Sequence, residues 1–321
     1  MPLLSKHAHG PAADLLWRIH RDPGFRHARF EVHAGKGELK RLILGIGQMH
    51  PVLQGKFEGF QAHRIAAIQA WIFQVCLRLT REYGVHSFGQ EGLWSSGTGA
   101  VAYSRIDPSL LDAWAVEVRD PATAPRFLRR VSDQWRKALR RGDADAAARQ
   151  ASALNGQALV QALEPGVSAF PLEQQDVHGV IGSQIDALHR EADTIEQSAA
   201  FRSMRAKGGR GLTQEEYSIA VRRNALIKAF NALLTHPERD RSIFREVMRA
   251  AEKVGVTVFV LGQAHRSAQL RLAREHGDDD LVYAWVTPPQ LWRWEALLRR
   301  ALWTCLGIVV ASGALWFAFL R

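Results

Sequence analysis

The sequence predicts an α/β fold: a mainly parallel sheet built from two related strand-GxxH-helix-strand halves, with a central helical insertion and a C-terminal transmembrane helix. Three observations carry that reading. Two apolar, β-branched runs, LILGIGQMH at 42–50 and VFVLGQAH at 258–265, both end in Gly-Gln-x-His. Each is followed by a helical pattern, a stop glycine and a further apolar run, the order of a unit whose parallel strands need a crossover helix. The stretch between them, 93–212, reads as polar, Ala-rich helices broken by Pro121, Pro125, Pro165 and Pro171.

Residues 1–25 form a lead-in, and the first half of the core spans 26–92. ARFEVH (28–33) and LKRLILGIG (39–47) flank the glycine-rich AGKGE, which predicts a β-hairpin. A helix is expected over about 57–82, because Ile65, Ile68, Ile72, Val75 and Leu79 recur at helical spacing. Gly84 stops it, and the strand VHSFG leads into Gln90-Glu91-Gly92. The second half, 213–290, opens on Thr213-Gln-Glu-Glu216, a capping-box pattern that starts a helix to about 235. A helix over 240–253 ends at Gly255, and a strand runs to Gly262. A helix over 267–275 ends at Gly277, and the strand LVYAWV stops before Pro288-Pro289. Asp278-Asp279-Asp280 caps or solvates the turn before that strand.

The chain has 321 residues and a formal charge of +10. Such a balance suits an anionic partner, either nucleic acid or a membrane surface. Arg126, Arg129, Arg130, Arg136, Lys137, Arg140 and Arg141 share one helical segment, but no zinc-finger spacing or RNA-binding aromatic motif accompanies them. Solvated helix faces are therefore favoured over a nucleic-acid site. Two cysteines, Cys76 and Cys305, form no CxxC pair, which excludes a disulfide scaffold and a thiolate zinc site and fits a reducing compartment. The run 301–320 carries no charged residue, and twenty helical residues rise about 30 Å, the thickness of a bilayer core. Trp292, Trp294, Trp303 and Trp316 lie near its ends, with Arg299 and Arg300 upstream. Residues 299–321 are thus expected to be a single-pass anchor contacting membrane lipid, with the main domain cytoplasmic.

Ligands of parallel sheets gather beyond the carboxyl ends of the strands. His50 and His265 are both expected there, with Glu91 ending a neighbouring strand. Gly47 and Gly262 would let the chain leave a buried strand sharply or at close approach. Two histidines and a carboxylate suit a divalent metal (manganese, cobalt, zinc or iron) that makes a nucleophile of bound water. Without metal the same trio suits acid–base work. Gln48 and Gln263 either orient substrate or satisfy the backbone. Arg223 falls within the apolar stripe Ile219, Leu226, Ile227 and Phe230. It either snorkels outward or reaches the crevice, pairs with Glu91 or holds a substrate oxyanion. The N-terminal histidines His7, His9, His20, His27 and His33 are spaced irregularly and read as solvated loop.

Gly47 and His50 in LGIGQMH, Glu91 in FGQEG, Arg223 and Asn224 in VRRNAL, and Gly262 and His265 in VFVLGQAH together resemble the TraB/TIKI-like family. That group shares a clan with erythromycin-esterase-like and ChaN-like proteins. The resemblance implies an α/β core whose active crevice is formed by both GxxH motifs. Some members are metal-dependent peptidases, and others hydrolyse esters or bind haem. It implies metal-binding or catalytic roles for His50, Glu91 and His265, with Arg223 in support. The expectation is a membrane-anchored, divalent-metal-dependent hydrolase, most readily a peptidase, acting on a peptide or small molecule. Neutral Gln48 and Gln263, where the family carries small or acidic residues, motivate the alternative. That alternative is a non-catalytic, membrane-tethered ligand- or haem-binding regulator of the same fold.

Overall fold

A computed structural model of the chain describes residues 4, 8–49, 60–95, 101–103, 109–141, 143–293, 296, 297 and 304. The architecture is mixed α/β, and its seven-stranded sheet is mostly parallel. In chain order the elements begin with α1 (Pro11–Arg21), β1 (Arg29–Ala34), β2 (Arg41–Gln48), α2 (Phe60–Tyr83), β3 (Ser87–Ser95) and β4 (Val101–Tyr103). They continue with α3 (Ser109–Glu117), α4 (Ala124–Arg141), α5 (Ala144–Ala153), α6 (Gly156–Leu163), β5 (Ser168–Gln174), α7 (Gln175–Gln197), α8 (Ala199–Ala206) and α9 (Gln214–Leu234). The last are α10 (Pro237–Val254), β6 (Val256–Gly262), α11 (Arg266–His276) and β7 (Leu281–Thr287).

The sheet order is β1-β7-β2-β6-β3-β4, with β5 also pairing β3. The two repeated strands, β2 and β6, lie side by side and parallel, with Gly47 opposite Leu261 and Gln48 opposite Gly262. From β2 the chain crosses by α2 to β3, passing over β6; from β6 it crosses by α11 to β7, passing over β2. Crossover α2 packs on one face with Leu42, Leu44, Ile46, Val258 and Val260. Crossover α11 packs on the other with Ile43, Phe259, Leu261, Tyr283 and Trp285. Opposite directions on opposite faces give both crossovers one hand and relate the two units by a twofold axis running between β2 and β6. Both faces of the central strands are covered, so these strands are continuously apolar rather than alternating.

Most expected elements form where their patterns place them. Ile65, Ile68, Ile72, Val75 and Leu79 are all buried on α2. The capping box is made in both directions: Thr213 Oγ1 accepts from the Glu216 N–H at 3.2 Å, and Glu216 Oε2 accepts from the Thr213 N–H at 2.8 Å. Three expectations need correction. First, β1 and β2 do not form a hairpin, because β7 inserts between them, antiparallel to β1 and parallel to β2. The loop after β1 bonds instead to the start of β7 and the loop before it, through Gly35 N–H to Leu281 O and Gly37 N–H to Asp279 O, both 2.9 Å. Arg41 clamps Asp278 and Asp280 there, so the aspartates anchor the turn rather than merely solvate it. Second, the segment 93–212 is not all helical, since it supplies β4 and β5 to the sheet. Third, α9 contributes nothing to either core cluster among the described residues; it packs on α7 and α8 with only Phe230 of its expected stripe buried. The expected span at 301–320 lies outside the described residues apart from Thr304, and among those described no helix is long and apolar enough to cross a membrane.

Two outcomes test this packing. A Cβ on Gly156 would collide with the Gln69 carbonyl and lie 2.7 Å from Phe73 N, where α6 crosses α2, whereas Gly179 on α7 has open space around it. Gly156→Ala is expected to cost about 1–3 kcal/mol in urea unfolding, and Gly179→Ala to stabilise by about 0.5–1 kcal/mol. Equal effects would refute the close helix crossing. Separately, Lys207, then Ser203 and the Thr213 N–H, hold the Glu216 carboxyl down at about 2, against an ordinary 4.5. A depressed folded value means its stabilisation is whole above about pH 4.5 and lost as pH falls towards 2. Melting temperatures across that window should fall less steeply for Glu216→Gln than for the parent.

Candidate functional site

The carboxyl ends of β2 and β6 are a topological switch point: adjacent strands whose connections leave in opposite directions open a crevice between them. His265 reaches it on the short turn after β6, buried at 2 % exposure. Glu91 reaches it from β3, one residue past Gln90, the last residue paired with β6. The two expected groups therefore converge, with His265 Nε2 lying 3.8 Å from Glu91 Oε1. His50, the third expected ligand, lies outside the described residues.

Three further residues complete the cluster. Asp240, in the first turn of α10, places Oδ1 2.6 Å from His265 Nδ1. The N-terminal end of a helix favours that carboxylate. Its own carbonyl accepts from Gln269 Nε2 at 2.8 Å, and Gln269 Oε1 accepts from the Tyr283 hydroxyl at 3.1 Å. Burial, and then Asp240, push the Tyr283 pKa well above its ordinary value, so the phenol stays a donor. Arg239 Nη2 donates to Glu173 Oε1 at 2.7 Å and to Glu91 Oε1 at 3.1 Å, and its Nε donates to Glu173 Oε2 at 3.2 Å. Nη1 donates to the Leu234 carbonyl at 3.1 Å and lies 3.5 Å from His265 Nε2. Burial works against the charge on Arg239, but Glu173 and Glu91 more than offset it and raise its pKa. Two carboxylates, Glu91 and Glu173, thus share one guanidinium.

The glutamines of both motifs are fasteners. Gln263 Oε1 accepts from Trp285 Nε1 at 3.2 Å and its Nε2 donates to Thr287 Oγ1 at 3.2 Å, tying the turn after β6 across β2 to β7. Gly47 lies under this bridge, and a Cβ there would collide with Gln263 Oε1. Gly47 therefore serves close approach, as expected. Gly262 does not need unusual angles, since its φ is −50° and a Cβ would meet only ordinary contacts. Its N–H instead donates to Glu91 Oε2 at 2.8 Å. Gln48 Oε1 lies 3.4 Å from Gln69 Nε2, which also donates to the Met49 carbonyl at 3.1 Å, fixing the exit of β2 to α2.

The pairing with Glu91 that the sequence offered for Arg223 is made by Arg239. Arg223 sits half-buried on α9 with its guanidinium 5.6 Å from the centre of the Phe201 ring, and Asn224 beside it is exposed. The missed Asp240 carried a readable signal. It stands in phase with Ile243, Phe244, Val247 and Ala251, the buried stripe of α10, and a carboxylate on such a stripe needs a partner. Glu173 carried little, because Pro171 and the Ala-rich surroundings hid β5.

Among the described residues no group of three or more His, Cys, Asp or Glu side chains is arranged to hold a metal ion. Glu91 and His265 are close enough for one shared cation, since zinc ligands lie about 2 Å from the metal, but Arg239 already holds Glu91. The described donors alone do not make a metal site, and the expected metal rests on His50.

Arg239→Met removes the cation that pairs with buried Glu173 and half-buried Glu91 and should cost about 3–5 kcal/mol in urea unfolding. Adding Glu173→Gln should recover part of that loss. A single variant as stable as the parent would show that the ion cluster is not formed. No family model matches the chain, and neither a curated protein nor a solved structure is matched by it.

Proposed function

We propose that this chain is a hydrolase of peptide or ester bonds whose acid–base group is His265, oriented by Asp240. The observation that carries the reading is the 2.6 Å Asp240–His265 contact, delivered to the crevice at the switch point beside Glu91. Asp240 fixes Nδ1 as the protonated nitrogen, leaving Nε2, which lies beside Arg239 and Glu91, as the base. Nε2 takes a proton from water as the oxygen attacks the substrate carbonyl. The imidazolium, stabilised by Asp240, then returns that proton to the leaving amine or alcohol, so the cycle closes. Glu91, held by Gly262 and Arg239, lies beside Nε2 and fixes the position of the neighbouring strand end. A divalent metal expected at His50, Glu91 and His265 would supply activated water.

The resemblance to TraB/TIKI-like proteins supports a hydrolytic reading, and the uncharged run 301–320 supports a membrane-anchored one with this domain cytoplasmic. The mutual saturation of Arg239, Glu91 and Glu173 favours a second reading. In it the cluster is structural, and the protein binds a ligand or haem at the crevice without turning it over.

The test is a screen of the detergent-solubilised full chain against fluorogenic peptides and esters, after chelation and again with added manganese, cobalt, zinc or iron. His265→Ala should lower kcat/KM on the order of a hundredfold or more, and Asp240→Asn should lower kcat with KM little changed. Folded variants that keep parental rates would sink the mechanism. Saturable ligand binding without product in every condition would establish the second reading.

A further inference from the structure

We propose that the outer face of α4 is a docking surface for anionic phospholipid. Helix α4 spans 18 residues, about 27 Å of rise. Phe127, Leu128, Val131, Trp135 and Ala138 are buried on its inner side, where it packs on α2 and α5. Arg126, Arg129, Arg130, Lys137 and Arg141 are exposed. At 100° per residue these five fall on one side of the helix, so they form a single stripe rather than a scatter.

The stripe is only lightly neutralised. Arg130 pairs with Glu117 at 2.9 Å, and Asp133, on the same face, lies 3.6 Å from the half-buried Arg136 and 3.7 Å from His63 on α2. Among the described residues, Arg126, Arg129, Lys137 and Arg141 remain as a row of solvated cations on a rigid element.

Two observations favour a lipid surface over nucleic acid. The aromatic rings of α4, Phe127 and Trp135, are turned into the core, so the basic face offers no platform on which bases could stack. The same chain carries an uncharged run at 301–320 preceded by Arg299 and Arg300, which suits a protein working against an anionic leaflet. The proposal is independent of the chemistry at His265.

The full chain is offered two distinguishable vesicle populations at once, phosphatidylcholine alone and phosphatidylcholine with phosphatidylserine, and its distribution between them is read. Any insertion through 301–320 draws on both populations, so the ratio reports charge. The parent should prefer the anionic set. Each basic side chain near such a surface changes partition about fivefold, so Arg126→Gln/Arg129→Gln/Lys137→Gln should lower the ratio on the order of a hundredfold. Arg126→Lys/Arg129→Lys should keep it. In the parent, about 1 M salt, where screening acts within about 3 Å, should abolish the preference. A triple variant that melts like the parent and keeps its ratio overturns the proposal. So does a parent that leaves anionic vesicles for duplex DNA and loses that transfer in the triple variant, which would make the face a nucleic-acid surface.

Discussion

Because β2 and β6 pair in parallel at the centre of the sheet, covered on both faces, their backbones have no solvent to turn to until they leave the sheet at its carboxyl edge. Both strands end in the same residues, and both use them to solve that exit. The amide of Gln263 reaches across Gly47 to β7, while the exit of β2 is tied through Gln69 to α2. The repetition of Gly-Gln in the sequence is thus a repetition of a mechanical problem, and His265 is placed by its solution after β6.

A second layer of organisation is electrostatic. Arg239 is drawn from α10 into a space lined by β3 and β5, and it ties all three together through Glu91 and Glu173. Desolvating such a group is costly unless geometry is good, and a buried ion pair is weak evidence for net stability. Its more informative property is position. Arg239 and Asp240 are consecutive, so one turn of helix sends a cation to Glu91 and Glu173 and an anion to His265. The orientation of the imidazole and the seating of the carboxylates cannot be changed independently.

The sheet was largely legible because its signals are local. Helical spacing in α2, the capping box at Thr213 and the stop glycines each act within a few residues. The neighbours of β1 were not legible, since nothing in AGKGE announces that β7 will pass between its flanking strands. At the site, Glu91 and His265 were found by their place at strand ends. Arg223 stands out in the sequence because the stripe around it reads as core-facing, while Arg239 carries no such mark. The contrast between α9 and α10 is instructive here, since the same argument applied to Asp240 on the truly buried stripe would have found the histidine's partner. Glu173 belongs to a strand whose proline and short apolar run give no periodic signal.

The interlocking of the two units has a consequence for how the chain reaches this structure. The strand that closes each unit lies beyond the opening strand of the other, and Leu42 pairs with Val256 across most of the sequence. Neither unit can complete its native pairing alone. The central pair must therefore await synthesis of the distal half, leaving both edges of β2 unpaired in the meantime. High contact order of this kind slows folding and lengthens the exposure of apolar strands. A nascent chain of this design is a natural client for holding factors until β6 emerges.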